Sequence, residues 1–294
     1  MAKHNSHVIA LLFMVAMSSI IVVGGYNILL GAYYGSEANN LPPPWKWRSG
    51  LSTTSPFIND LTINYIVVGD NAIPGLEDYI LPVMKSLQDL LNRHYLGQVK
   101  ITTMVGLTAL GVQTPPSTGV FDPNIFESMR GILHFLRGQG SPLMLSLYPY
   151  QAYAYSGYTN NITLGYATFT SQTEQNSSIR IDGDLTYNIF DEMVDAFYAA
   201  IDKANVGNVA IAIGETGWPT NGNYAANPSL ALTYNKKFKN HITSGKGTPM
   251  KPNIYIEGFI RSLFNENEKP EGESRFYGMF NVDSTRPSHS NVFD

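Results

Sequence analysis

A glutamate at the end of an apolar run is the residue of this sequence best placed to do chemistry. Glu215 follows the apolar residues 209–213 and begins the segment Glu-Thr-Gly-Trp-Pro, in which Gly217 and Pro219 interrupt a strand. A buried strand that ends in a carboxylate is how a parallel barrel presents a catalytic group at its C-terminal rim. Trp218 adds a flat apolar face on which a sugar ring can stack. The alternative interpretation is an ordinary strand end whose glutamate caps a helix.

Several other chemistries find no support in the residues. The chain has no cysteine, which excludes thiol nucleophiles and cysteine-based metal sites. Its six histidines show no ligand spacing, and neither an HExxH nor a GxSxG pattern occurs. No glycine-rich phosphate loop precedes a helix. We therefore expect neither a metal nor a cofactor.

The charge of the chain argues against nucleic acid as a partner. The formal net charge is −4, and acidic and basic residues are mixed along the sequence without a basic run. A neutral polymer is an acceptable partner for such a surface. The chain contains 18 tyrosines and 14 phenylalanines, which suits stacking on carbohydrate, although core packing accounts for most aromatic residues in any protein.

Strands and helices alternate along the sequence. Continuous apolar runs, typical of parallel strands covered on both faces, lie at residues 28–34, 63–68, 99–105, 143–148, 209–213 and 253–260. Helical patterns lie at residues 79–92, 124–137 and 187–204, and Asp184 suits the start of the last one. Alternation of this kind predicts a parallel α/β fold closed into a barrel.

The segment 210–222 resembles the signature of the plant β-1,3-glucanases, glycoside hydrolase family seventeen. The resemblance runs from about residue 28 to residue 284 and implies a (β/α)8 TIM-barrel fold. Segments similar to the strands and loops of that family are residues 30–35 with 39–44 for the first strand, 99–105 with 114–121 for the fifth, 145–150 for the sixth and 263–269 for the eighth.

The barrel that this resemblance implies is incomplete. Eight βα units of about 30 residues each are needed, and six strands are recognisable. Only 27 residues lie between Gly35 and Ile63, where the family has its second and third units. We therefore expect both units to be missing, with a joint between about residues 44 and 47. Their loss leaves two unpaired sheet edges or forces the first and fourth strands together. A mis-assembled gene model or a skipped exon is an alternative explanation.

The resemblance assigns the catalytic residues. Glu215 takes the position of the nucleophile in a mechanism that retains configuration, which needs two carboxylates about 5 to 5.5 Å apart. The acid/base of the family ends a Val-Gly-Asn-Glu run, and this chain has Val-Gly-Asp-Asn with Asp70 and Asn71 at the last two places. An amide has no proton to give, so Asn71 cannot act as an acid. Asp70 is a possible poor surrogate, although a shift of one residue along a strand usually misdirects a side chain.

Other positions match family residues around the sugar. Glu266 and Lys269 match residues that brace the nucleophile and the catalytic pair, whereas an ordinary surface ion pair is the simpler interpretation of such spacing. Tyr34, Tyr148 and Phe264 end or follow strands at the same rim and are candidates for lining the cleft, with core packing as the alternative for each.

The N-terminus is typical of a secretory signal. Lys3 and His4 precede an apolar stretch at residues 8–23 that ends in glycines, so residues 1–25 are predicted to be a signal peptide and residues 26–294 a single barrel domain. An uncleaved anchor is the alternative. Asn161 and Asn176 occupy glycosylation acceptor sequences, which fits export.

Together these features predict a secreted, monomeric relative of the endo-β-1,3-glucanases. It would act on cell-wall β-1,3-glucan through a glycosyl intermediate on Glu215, with no cofactor, no nucleic acid and no stable membrane partner. Two alternatives remain because of Asn71 and the missing units. One is a carbohydrate-binding protein without turnover, and the other is a truncated product that does not fold stably.

Overall fold

The computed structural model describes residues 30–33, 64–155, 162–170, 180–282 and 292, with the backbone alone at 30–33 and 180. Several predictions concern residues outside these ranges. They are the signal peptide at residues 1–25, the joint near residues 44–47, the cleft residue Tyr34, and the acceptor residues Asn161 and Asn176.

The described strands are β1 Leu30–Tyr33, β2 Tyr65–Asp70, β3 Lys100–Val105, β4 Leu110–Val112, β5 Val120–Phe121, β6 Leu143–Ser146, β7 Arg180–Asp182, β8 Leu185–Tyr187, β9 Ile211–Thr216 and β10 Glu257–Arg261. Six of them form the central parallel sheet, in the order β1-β10-β9-β6-β3-β2. The pairs β4–β5 and β7–β8 are short antiparallel hairpins. All six strands predicted from the sequence are present in the central sheet, with shifted ends.

Within the described residues the sheet has the strand order of a barrel that is not closed. Its six strands follow the order of an eight-stranded barrel, with no described strand at the second and third positions, where the sequence predicts that two units are missing. Among these strands β1 and β2 stand at opposite ends of the order and do not pair with each other. The expected pairing of the first and fourth strands is therefore not seen in the part of the chain that the structure describes.

Side chains from several strands still fill the space inside the curved sheet. The Tyr65 hydroxyl on β2 donates a hydrogen bond of 2.5 Å to Glu257 on β10 and so links an edge strand to a strand far along the sheet order. The inner cluster of buried side chains consists of Tyr65, Met104, Met144, Ala212 and Phe259. A much larger apolar cluster lies between the outer face of the sheet and the helices.

The helices cover the outer face because their apolar residues recur every three or four positions. They are α1 Glu77–Arg93, α2 Phe126–Gln139, α3 Pro149–Tyr155, α4 Leu164–Ala167, α5 Ile189–Lys203 and α6 Pro228–Thr243, with 3₁₀ turns at Leu107–Ala109, Pro116–Thr118 and Glu273–Arg275. The three predicted helices are confirmed. In the described ranges, no helix is both long enough and apolar enough to cross a bilayer.

The predicted role of Asp184 at the start of α5 is wrong. Asp184 lies in the turn of the β7–β8 hairpin, and the hairpin extends to Tyr187. Asn188 caps the helix instead, because its side-chain oxygen accepts a hydrogen bond of 2.9 Å from the backbone N–H of Asp191.

The predicted sugar-stacking face of Trp218 is also wrong. The indole is 0% exposed, and its Nε1 donates to the carbonyl of Ala225 at 3.0 Å. Its ring packs at 5.1 Å from Tyr150 and 5.7 Å from Tyr234. The turn at Gly217 lies close to β10, where an added Cβ would be 2.5 Å from the Arg261 carbonyl, and Trp218 packs inward beside it.

Replacing Trp218 with alanine should therefore lower the free energy of unfolding by about 3 to 5 kcal/mol, because a fully buried ring leaves a cavity and an unpaired carbonyl. Urea unfolding followed by circular dichroism measures this change. Tyr95→Ala is the control, since that ring is 93% exposed. Equal midpoints for the two variants would place the indole outside the core.

Candidate active site

Glu215 lies near the C-terminal end of β9, at the mouth of the curved sheet. Its side chain is 6% exposed. The neighbouring strand β6 ends at Ser146, whose hydroxyl donates to Glu215 Oε1 at 2.8 Å. The carboxylate is therefore held at the rim predicted from the sequence, between hydrogen-bond donors and not among apolar side chains.

The end of β2 brings Asp70 and Asn71 to the same mouth. The backbone is left-handed at Gly69 and at Asn71, with φ angles of 76° and 50°, and the register with β3 shifts between Val67 and Asp70. Glycine and asparagine are the residues that adopt this conformation most readily. Because the strand bends here, two consecutive side chains face one site and do not point to opposite faces of the sheet.

One amide group connects the two carboxylates. Asn71 Nδ2 donates to Asp70 Oδ1 at 2.9 Å and to Glu215 Oε1 at 3.4 Å. The two acceptors decide which end of the amide faces them, since oxygen in that place would be repelled. Because both oxygens contact one nitrogen, Asp70 Oδ1 and Glu215 Oε1 lie closer together than the carboxyl groups of inverting glycosidases. In those enzymes the spacing is about 6.5 to 9.5 Å.

Asp70 is a titratable group beside Glu215, the predicted nucleophile. Although its side chain keeps contact with solvent, the surrounding protein reduces its hydration and raises its pKa to about 6. Repulsion from the Glu215 carboxylate adds to this increase in pKa, while Arg261, Lys269 and the Asn71 amide oppose it. The carboxyl of Asp70 is therefore partly protonated in mildly acidic solution.

Glu266 and Lys269 form a buried ion pair in the loop after β10. Lys269 Nζ lies 3.0 Å from Glu266 Oε2, and the two side chains are only 16% and 3% exposed. The simpler interpretation of a surface ion pair is therefore wrong. Their predicted role in supporting the nucleophile stays a prediction, and the structure supplies a physical route for it through Arg261.

Arg261, the last residue of β10, was missed by the sequence reasoning. Its guanidinium lies 3.8 Å from Glu215 Oε2 and 3.1 Å from Glu266 Oε2, and it is 14% exposed. It also donates to the Tyr148 hydroxyl at 3.3 Å and lies over the Tyr277 ring at 5.4 Å. A sequence signal existed, because a charged residue at the end of an apolar strand needs a carboxylate partner when it is buried.

Two of the predicted cleft aromatics do not offer a ring to a sugar. Phe264 is 0% exposed and packs at 6.1 Å from Phe280, so its predicted binding role is wrong and core packing explains it. Tyr148 does reach the site, but through its hydroxyl, since its ring is buried against Tyr277. Burial and the nearby Glu215 raise the pKa of Tyr148 well above its usual value, so this hydroxyl stays neutral.

Exposed rings occur instead at the end of α3, which follows β6, and on the loop that follows β9. Tyr155 and Tyr224 are 60% and 76% exposed. The Tyr224 hydroxyl donates to the carbonyl of Ala154 at 3.0 Å, which ties the loop to α3. These two rings offer exposed aromatic surface to a ligand.

The comparison with protein families identifies the family of this chain. Residues 46–290 match the model described as glycosyl hydrolases family 17. The chain belongs to this family.

Relatives in this family include plant glucanases. The chain is 39% identical over 235 residues to a probable glucan endo-1,3-beta-glucosidase, BG4, of Arabidopsis thaliana. The matched region covers 79% of this chain and 66% of that protein. It is 34% identical over 257 residues to Lichenase-2 of Hordeum vulgare, covering 87% and 80%. The chain thus spans just under two thirds of the length of the first relative.

Solved structures of plant glucanases share the fold. One is from a study of two plant beta-glucan endohydrolases with distinct substrate specificities. It superposes with a TM-score of 0.70 at 34% identity, and the match covers 82% of this chain and 75% of that one. CJP38, a beta-1,3-glucanase and allergen of Cryptomeria japonica pollen, gives 0.69 at 36% identity, covering 79% and 72%.

The contacts of Arg261 predict a clear effect on stability. Arg261→Met should lower the free energy of unfolding by about 3 kcal/mol, because Glu215 loses its nearby cation while buried; Lys269 still neutralises Glu266. Arg130→Met is the control, since Arg130 pairs with Glu127 on the surface and such pairs contribute about 0 to 1 kcal/mol. Equal losses in urea unfolding would show that the ion pairs of Arg261 do not stabilise the site.

Proposed function

We propose that this member of glycosyl hydrolases family 17 acts on β-1,3-linked glucan and uses Glu215 as its nucleophile. The observation that carries the proposal is the position of the Glu215 carboxylate, which contacts Ser146, Asn71 and Arg261 at the mouth of the sheet. The similarity of the chain to glucan endo-1,3-beta-glucosidases supports the choice of polymer.

Hydrogen-bond donors and a cation surround the Glu215 carboxyl. Arg261 remains charged at any relevant pH, and its guanidinium lies 3.8 Å from Glu215 Oε2. In the proposed reaction Glu215 attacks the anomeric carbon, the bond to the leaving sugar breaks, and water later releases the glycosyl group with retention of configuration. The hydrogen bonds of 2.9 and 3.4 Å from the Asn71 amide to Asp70 and Glu215 support retention, because they hold the two carboxyl groups closer together than in an inverting glycosidase.

The proton for the leaving sugar must come from Asp70 in this proposal. Asn71 has no acidic proton, while the Asp70 carboxyl accepts a hydrogen bond from the same amide that contacts Glu215. A pKa of about 6 allows Asp70 to be protonated in a mildly acidic cell wall. Secretion through residues 1–25, action as a monomer and glycosylation at Asn161 and Asn176 belong to the same proposal.

Asn71 also favours a second candidate, a carbohydrate-binding protein without turnover. Losing a general acid typically slows such a reaction by roughly 10²- to 10⁴-fold. A cleft that keeps the exposed rings of Tyr155 and Tyr224 could still hold a glucan. Retention on immobilised glucan by a cooperatively folded protein that releases no sugar would favour this candidate, whereas absence of cooperative unfolding would indicate a truncated product.

Reducing-end release from laminarin tests the hydrolase proposal. The wild-type protein at pH 5 should release sugar well above Glu215→Gln, because the amide cannot attack the anomeric carbon. Glu127→Gln, which changes an exposed side chain, should match the wild type. Wild-type release no higher than that of Glu215→Gln would contradict the assignment of the nucleophile.

The pH dependence tests Asp70. Since Asp70 must carry a proton to act as an acid, laminarin hydrolysis should fall as the pH rises through about 6, where the native carboxyl loses that proton. In Asp70→Asn the residual rate should be lower at pH 5 and should lose this decline. An unchanged pH profile in Asp70→Asn would assign the proton to another group.

A further inference from the structure

The wall of the site opposite Glu215 is unusual for a glycosidase. Asn71 stands at the position that the resemblance assigns to the acid/base, and its amide, 3.4 Å from Glu215 Oε1, has no acidic proton to give. Asp70 lies beside Asn71 but is largely ionised above pH 6. At neutral pH the nucleophile is thus in place while proton donation is weak.

A glycoside needs a proton from the enzyme only when its leaving group is a poor anion. An alkoxide from a sugar is such a leaving group, and general acid catalysis removes that barrier in ordinary glycosidases. A leaving group that is stable as an anion, such as an acidic phenolate or a carboxylate, departs with its electron pair and requires no donor. The chemistry of this wall therefore favours such substrates over plain glucan.

The charges around the nucleophile also suit anions. Before the reaction, the carboxylates of Asp70, Glu215 and Glu266 outnumber the cations of Arg261 and Lys269. Esterification of Glu215 removes one negative charge and leaves the two cations balanced by two carboxylates. Arg261, 3.8 Å from Glu215 Oε2 in the free protein, then lacks its partner Glu215, so the net repulsion of an incoming anion is removed.

Solvent reaches the site from the Asn71 side. Asp70 and Asn71 are both exposed, whereas Glu215 is buried. A small solute can therefore approach the glycosyl intermediate from the wall that lacks the general base. An anionic nucleophile needs no base, because it has no proton to lose before it attacks.

We propose that the preferred donors of this site are β-glucosides whose aglycone leaves as a stable anion, and that a small anion, such as a carboxylate, completes the second step. The proposal rests on the proposed function of Glu215. In the first step Glu215 bonds to the anomeric carbon as the bond to the aglycone oxygen breaks, and the aglycone takes the electron pair. In the second step the anion bonds to that carbon and Glu215 leaves as a carboxylate.

Two donors that differ only in leaving group test the first step. The full chain is assayed at pH 7 with 2,4-dinitrophenyl β-laminaribioside and with phenyl β-laminaribioside. Phenol, like the tyrosine side chain, has a pKa of about 10, whereas dinitrophenol is a far stronger acid and leaves as a more stable anion. The dinitrophenyl-to-phenyl ratio of kcat/KM should exceed that of Asn71→Glu by roughly 10²- to 10⁴-fold, because a carboxylic acid introduced there restores acid catalysis only where it is needed. Asn240→Glu, on the exposed face of α6, should keep the wild-type ratio.

Sodium azide tests the second step in the wild-type protein. Azide should accelerate turnover of the dinitrophenyl donor and yield the β-glycosyl azide. Equal ratios in wild type and Asn71→Glu, or no azide product, would overturn this inference while leaving Glu215 as the nucleophile. Should Asn71→Glu fail to fold, the azide product alone decides. Dinitrophenyl cleavage no faster than in Glu215→Gln would instead overturn the proposed function.

Discussion

The buried guanidinium of Arg261 is the interaction on which the candidate site depends. It joins Glu215 at the end of β9 to Glu266 in the loop after β10, and Lys269 completes the set of charges. Each of these groups would be costly to bury alone, because removal from water destabilises an isolated charge by several kcal/mol, of order 3 to 5 when one partner of a pair is lost. The site is therefore stable only as a group of matched charges.

The bend at the end of β2 sets the chemistry of the opposite wall. In a regular strand Asp70 and Asn71 would point to opposite faces. The left-handed backbone at Gly69 and Asn71 brings both side chains to the mouth, where the amide contacts both carboxylates. Asp70 thus adds a carboxyl to the candidate site, although in a solvated position that differs from the buried position of Glu215.

The site persists in a sheet that is not closed within the described residues. The strands that carry Glu215, Ser146, Arg261 and Asp70 are β9, β6, β10 and β2, which all belong to the continuous part of the sheet. Tyr65 links β2 to β10 through the interior by its hydrogen bond to Glu257. The second and third strands of a complete barrel would lie between β1 and β2, at the edge beside Asp70 and away from β6 and β9.

The sequence alone determined the strand and helix pattern and the position of Glu215 at a strand end, because apolar periodicity and a specific motif are local properties of the chain. Tertiary structure decided the rest. Trp218 and Phe264 sit close to candidate site residues in the sequence but lie in the core, since side-chain direction depends on close packing between elements. A charged residue at the end of an apolar strand signals that Arg261 needs a carboxylate partner, but only the fold supplies both partners, because β9, distant in sequence, brings Glu215 to the guanidinium that Glu266 also contacts.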